Sequence, residues 1–176
     1  MSALIEAARA PDYPAEIALV LADRSDAGGL ALARRAGAPV AVVDAKIYAG
    51  RDEFEASMQA LLDIHRIELI CLAGFMRILS ESFVRHWRGR MINIHPSLLP
   101  AFRGLHTHER ALAAGVAEHG CTVHFVEPEL DAGPIILQAQ APILRGDTAQ
   151  SLAARVLIEE HRIYPLALAQ IARSLG

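Results

Sequence analysis

The stretch Met91-Ile92-Asn93-Ile94-His95-Pro96-Ser97-Leu98-Leu99-Pro100 decides the reading of this chain. Side chains alternate across a strand, so Asn93 and His95 share one face while Ile92 and Ile94 enter the layer behind. Pro96 then stops the ladder. An amide and an imidazole thus stand side by side at the carboxyl end of a strand, where open α/β sheets place their ligands. The amide can donate to a developing oxyanion, and the imidazole, with a reference pKa of about 6.5, can carry a proton near neutral pH. That pairing suits acyl transfer.

Outward from this strand the chain alternates. Met1 to Ala10 reads as a helix, Ala15 to Leu21 as a buried strand, Ser25 to Ala36 as a helix closed by Gly37, and Pro39 to Val43 as a second strand. Phe54, Met58, Leu61 and Leu62 keep helical spacing, Ile67 to Leu72 is an apolar strand ending at Ala73-Gly74, and a short helix spans Ser82 to Trp87. Strands alternating with helices imply parallel βαβ units. Past His95 the texture changes. Leu105 to Ala114 is helical, but Cys121 to Val126 and Pro134 to Leu144 are strands joined by a loop, which predicts antiparallel or mixed pairing. Asp147 and Gln150 offer a capping box for a last helix carrying Leu152, Val156 and Ile163, which Pro165 should bend or restart.

Its 176 residues, 53% hydrophobic and 21% charged, fit one compact domain spanning 1–176. No apolar run reaches membrane-spanning length, and the first residues lack the pattern of an export signal, so a cytoplasmic enzyme without a membrane partner is expected. A net charge of -3 gives no global attraction to nucleic acid. The two cysteines, Cys71 and Cys121, lie in apolar stretches and read as core thiols.

Asn93, His95, His106, His108, His119, His124 and Asp131 form a dense polar cluster. A metal site is the first alternative, but His106 and His108 diverge at the start of a helix and no His-x-x-x-His occurs, so no metal is expected. His119, His86 and His65 read as hydrogen-bonded core or exposed residues. His124 shares a strand face with Thr122 and lines or supports the cleft. Asp131 sits in the tight loop Glu129-Leu130-Asp131-Ala132-Gly133-Pro134, where an ordinary turn aspartate is the plain alternative.

Asn93 to Pro100, then Gly104-Leu105-His106-Thr107-His108, His124-Phe125-Val126, Glu129 to Pro134 and Glu160-His161-Arg162-Ile163-Tyr164-Pro165 together resemble the phosphoribosylglycinamide formyltransferases. The resemblance covers nearly the whole chain. It implies a Rossmann-like α/β formyltransferase fold, mostly parallel with antiparallel C-terminal strands, and 10-formyltetrahydrofolate as cosubstrate. It also implies glycinamide ribonucleotide as acceptor. By matching positions Asn93 would steady the oxyanion, His95 would donate a proton, and Asp131 would pair with that imidazole. The folate would lie along Met76-Arg77-Ile78-Leu79 and the loop Glu127-Pro128-Glu129-Leu130-Asp131, with Arg51 toward its other end. Gly104 and Glu160 would meet the glycinamide substrate, while His124 and Thr122 would support the site.

Two departures qualify the match. The family opens with a strand and a Gly-x-Gly-Ser-Asn loop whose backbone holds a phosphate at a helix N-terminus. Met1 to Ile5 reads as the body of that helix, so the first strand and the phosphate cradle are expected to be missing, either because an internal methionine was taken as the start or because this is a truncated form. Leu157 stands where a polar group near the substrate is expected. The competing functions are a folate-binding remnant with little turnover and another formyltetrahydrofolate-dependent formyltransferase. The tRNA-directed enzymes and the formyltetrahydrofolate hydrolases carry an additional domain that does not fit in this length.

Overall fold

The computed structural model of the chain describes residues 1–175. Helix α1 (Ser2–Ala7) is followed by β1 (Val20–Ala22), α2 (Gly28–Arg35), β2 (Val40–Val42), α3 (Arg51–Ile64) and β3 (Ile70–Leu72). Then come α4 (Glu81–His86), β4 (Met91–His95), α5 (Thr107–Ala114), β5 (Glu118–Phe125), β6 (Ile135–Pro142) and α6 (Ala149–Leu175). β1 and β2 pair in parallel, with Val20 opposite Val40. A second sheet has the order β3-β4-β5-β6, parallel between β3 and β4 and antiparallel across the other two junctions. The parallel pairs are joined through crossover helices and β5 and β6 by a loop alone, while β4 and β5 pair antiparallel with α5 between them.

Strand alternation lets β4 serve two layers. Ile92 enters a core with Cys121, Val123 and Ala139, covered by Leu4 of α1 and by Leu152, Val156 and Ile163 of α6. Met91 enters the opposite core, with Phe54, Met58 and Leu62 of α3 and Phe83 of α4. Asn93 and His95 continue the Met91 face toward the carboxyl end of the strand. Burial pushes both cysteine thiols up to about 12, as inert core thiols require.

Three strands are shorter than their apolar runs. Ala15 to Leu21 narrows to Val20–Ala22, Pro39 to Val43 to Val40–Val42, and Ile67 to Leu72 to Ile70–Leu72. Ladder length is set by the partner rather than by the run, and among the described residues β1 pairs only with β2 and β3 only with β4. Between those two open edges lies a cavity of about 910 Å³ that Leu19, Leu21, Leu69 and Cys71 line, with Leu62 and Leu168 among its further walls.

The last helix also starts differently. Thr148 and Ser151 form the capping box, Ser151 N–H donating to Thr148 Oγ1 at 3.1 Å and Thr148 N–H to Ser151 Oγ at 3.0 Å. Asp147 is drawn instead to Arg155, at 2.7 and 3.0 Å, and accepts the Leu144 N–H. Those bonds, Arg155 first, hold its carboxyl well below the usual range. Gln150 takes no part in the cap. Pro165 neither ends nor restarts α6, which continues to Leu175.

Candidate active site

Antiparallel register places Asn93 opposite His124 and His95 opposite Thr122, so two cross-strand pairs share one face. The chain beyond β5 then turns back over this face. Gly133 permits the return, because a Cβ there would lie 1.9 Å from the Phe125 carbonyl oxygen. Asp131 sits in the left-handed region at φ 50, which aspartate tolerates better than most residues. Its carboxylate, 8% exposed, lies 3.4 Å from His95 Nδ1 through Oδ2 and 3.7 Å from His124 Nε2 through Oδ1. Gly104 N–H donates to Oδ2 at 2.8 Å and fixes it.

Hydrogen-bond partners settle which nitrogen does what. His124 Nδ1–H donates to the Phe125 carbonyl at 2.8 Å, so its Nε2 lone pair accepts from the Asn93 amide at 3.2 Å. Burial lowers the His124 pKa and keeps the ring neutral in that role. One N–H of Asn93 is thereby committed and the other remains for a ligand. His95 Nε2–H donates to the Phe102 carbonyl at 3.0 Å, which turns Nδ1 toward Asp131. Amide donor, imidazole and carboxylate converge on one spot at the end of β4.

The residues proposed to hold folate lie at the carboxyl end of the neighbouring strand. Met76 and Ile78 follow β3 and are 78% and 75% exposed, open apolar side chains that a flat ring system could cover. Leu79 packs instead against the α3 and α4 core. Arg77 stands 5.3 Å from the Phe54 ring centroid and 4.0 Å from Asp23, and Arg51 lies in the same first turn of α3 as Phe54. In the loop above, Glu127 meets Arg88 at 3.2 Å and Glu129 meets Arg103 at 2.8 Å, while Pro128 and the exposed Leu130 carry no polar side chain. Glu160 is not part of this cluster. It lines a separate hollow of about 220 Å³ with Gly74, Ile94, Leu157 and Tyr164, where burial raises its pKa.

His119 departs from expectation. It is neither exposed nor hydrogen-bonded: its ring is buried against His108 and Phe102, at centroid distances of 5.1 and 5.9 Å, with neither nitrogen partnered. Burial, aided by His108, lowers its pKa to about 4. Thr122 supports rather than lines the cleft, since its hydroxyl is spent on the chain after His95. The Phe102 carbonyl is a site group that sequence reasoning missed, and Gly104, expected at the substrate, also serves Asp131 through its N–H; backbone atoms carry no side-chain signature by which to find such roles. Among the described residues no group of three or more His, Cys, Asp or Glu could hold a metal ion, and no helix is long and apolar enough to cross a membrane.

An open α/β sheet that aims an amide donor, an imidazole and a carboxylate at one point equips a protein for acyl transfer. Residues 1–168 match the formyl transferase family, and the chain belongs to it. It is 43% identical over 172 residues to phosphoribosylglycinamide formyltransferase of Escherichia coli K12, covering 98% of this chain and 81% of that one. It is 48% identical to the human trifunctional purine biosynthetic protein adenosine-3, of which it spans 17%. Among solved structures, phosphoribosylglycinamide formyltransferase from Brucella melitensis superposes with a TM-score of 0.94 at 54% identity, covering 98% of this chain and 88% of that one.

Proposed function

We propose that this chain transfers the formyl group of 10-formyltetrahydrofolate to the primary amine of N1-(5-phosphoribosyl)glycinamide. The observation that carries the reading is the convergence of Asn93, His95 and Asp131 in a chain whose relatives of comparable length bear that activity in their names. The amine nitrogen attacks the formyl carbon, and the carbonyl oxygen becomes an oxyanion that the free N–H of Asn93 stabilises. The imidazole of His95, facing Asp131 through Nδ1, supplies the proton that N10 of the folate needs as its bond to carbon breaks. Asp131 faces that ring and receives, through water, the proton that the attacking amine sheds. One proton leaves the amine and one reaches N10, so the cycle closes without a covalent enzyme intermediate or a metal.

Met76 to Leu79, Glu127 to Asp131 and Arg51 are assigned to the folate, and Gly104 and Glu160 to the glycinamide. The Gly104 N–H already serves Asp131, so its carbonyl is the atom left to meet substrate. The test is steady-state release of tetrahydrofolate with and without the glycinamide ribonucleotide, repeated in the presence of a chelator. Amine-dependent release that survives chelation supports the reading. Folate binding without release would mark a remnant, and release without the amine a hydrolase.

A further inference from the structure

We infer that Glu55 is a positioning residue for the cofactor: from α3 it clamps Ser80 and so sets the Met76 to Leu79 loop in register with Arg51. The inference rests on the assignment of that loop and of Arg51 to the folate. Glu55 is buried on the helix that gives Phe54 and Met58 to the core, and a carboxyl is costly to bury without donors. Among the described residues both of its oxygens take their hydrogen bonds from Ser80 alone, the Ser80 N–H reaching Oε1 at 2.6 Å and the Ser80 hydroxyl reaching Oε2. That hydroxyl has one proton and Glu55 takes it, so Ser82 Oγ at 3.0 Å and the Phe83 N–H at 3.2 Å must donate to Ser80 Oγ. Ser80 is thereby both the anchor that ends the loop and the N-cap of α4.

The anchor matters because of what precedes it. After Leu72 the chain leaves the sheet, and among the described residues no main-chain hydrogen bond ties positions 73–79 to another segment. Phe75 and Leu79 pack against the α3 and α4 core, while Met76, Arg77 and Ile78 between them are exposed. Apolar burial is non-directional, so it holds the loop down without fixing where along α3 it sits. The two bonds to Glu55 supply the direction. Arg51 precedes Glu55 by about one helical turn, and Phe54, whose ring centroid lies 5.3 Å from the Arg77 guanidinium, stands next to it. Clamp, stacking partner and Arg51 therefore ride on one stretch of α3, and a folate that spans the loop and Arg51 meets both at a preset separation. Asn93, His95 and Asp131 are held by His124, Phe102 and Gly104 instead, so a loosened clamp acts on cofactor binding rather than on the chemistry.

The variants are Ser80→Ala, which removes the hydroxyl, Glu55→Ala, which removes both acceptors, and Glu55→Gln, whose amide keeps an acceptor for the Ser80 N–H and offers a donor to its hydroxyl oxygen. Hydrogen exchange in the unaltered protein should show a protected Ser80 amide beside fast-exchanging amides at 76–78, and Glu55→Ala should free the Ser80 amide. Calorimetry with tetrahydrofolate and kinetics with 10-formyltetrahydrofolate should show folate affinity weaker by roughly tenfold in Ser80→Ala, the scale of one hydrogen bond to a carboxylate, and by more in Glu55→Ala. Glu55→Gln should stay within about threefold, because its amide can rebuild both bonds. In all of them kcat at saturation and KM for the glycinamide ribonucleotide should hold. Ser80→Ala decides the matter alone where Glu55→Ala does not fold. A lowered melting temperature with folate affinity unchanged would mark Glu55 as merely structural and overturn the inference. So would a fast-exchanging Ser80 amide in the unaltered protein, or a loss shared equally by kcat and both KM values. If the Ser80 amide behaves as described but the unaltered protein binds no tetrahydrofolate, the clamp is real while the folate assignment falls and takes the inference with it.

Discussion

Replacing Asn93 by alanine tests the reading of the site at its centre. The amide gives one N–H to His124 at 3.2 Å, so a single donor remains for a developing oxyanion. Loss of one such donor typically costs about 2.7–4 kcal/mol in the transition state, or roughly a hundred to a thousandfold in kcat. The donor acts only once the carbonyl has become tetrahedral, so KM for the folate should stay within about twofold. The same change strands the buried Nε2 lone pair of His124, a separate cost of about 1–3 kcal/mol in stability that thermal melting would register. Asn93→Asp supplies the control, being equal in size but without a donor, and its kcat should fall as far. Steady-state kinetics with both substrates varied gives the answer. An Asn93→Ala enzyme with full kcat and a raised KM would show that the residue only binds, and the oxyanion assignment would be refuted.

Asp131→Asn keeps an oxygen for the Gly104 N–H but removes the charge facing His95 Nδ1, so kcat should fall by roughly a hundredfold or more while the melting temperature holds; unchanged kcat removes the carboxylate from the mechanism. Acid should destabilise the fold through His119: its pKa of about 4 lies below that of the unfolded chain, so the unfolded state takes up the proton first. Its contribution is whole above the ordinary histidine range, drains away as pH falls toward about 4, and is flat below. Melting curves across that window should slope less in His119→Phe, and an identical slope would exclude this ring. Hydrogen exchange should be slowest in β5, which is paired on both sides, and fastest at β1 and β3, whose open edges face the large cavity. Equal protection at all three would contradict the two-sheet arrangement.

The sequence carried the alternation of β4, because apolar and polar side chains trade places there residue by residue, and the structure keeps Met91 and Ile92 in opposite cores. It also carried the change of texture after His95, since a loop too short for a helix forces antiparallel pairing between β5 and β6. Strand ends were not legible. Ala15 to Leu19 is as apolar as a paired strand, yet hydrogen-bonded length depends on a neighbour distant in sequence. Asp131 could be picked out as unusual but not located, because its place over His95 follows from a glycine contact with Phe125 and from a left-handed backbone turn, and neither is written in local periodicity.

The histidines show why residue type alone misleads in such a cluster. His124 and His119 are on the same strand and equally buried, and burial lowers the pKa of both. His124 has a carbonyl for one nitrogen and an amide for the other, so its neutral form is satisfied and it can orient Asn93. His119 has the Phe102 and His108 rings at its edges and no side-chain hydrogen bond by which to orient a neighbour. The five positions separating them place the two side chains on opposite sides of the sheet's alternation, but the β-bulge between Val123 and His124 shifts the register. The extra residue is Ile136 on β6, so the β4–β5 register stays regular and sets His124 opposite Asn93. A ring's work is therefore set by the partner each nitrogen meets, and that is a property of register, which the strand pairing supplies and composition does not.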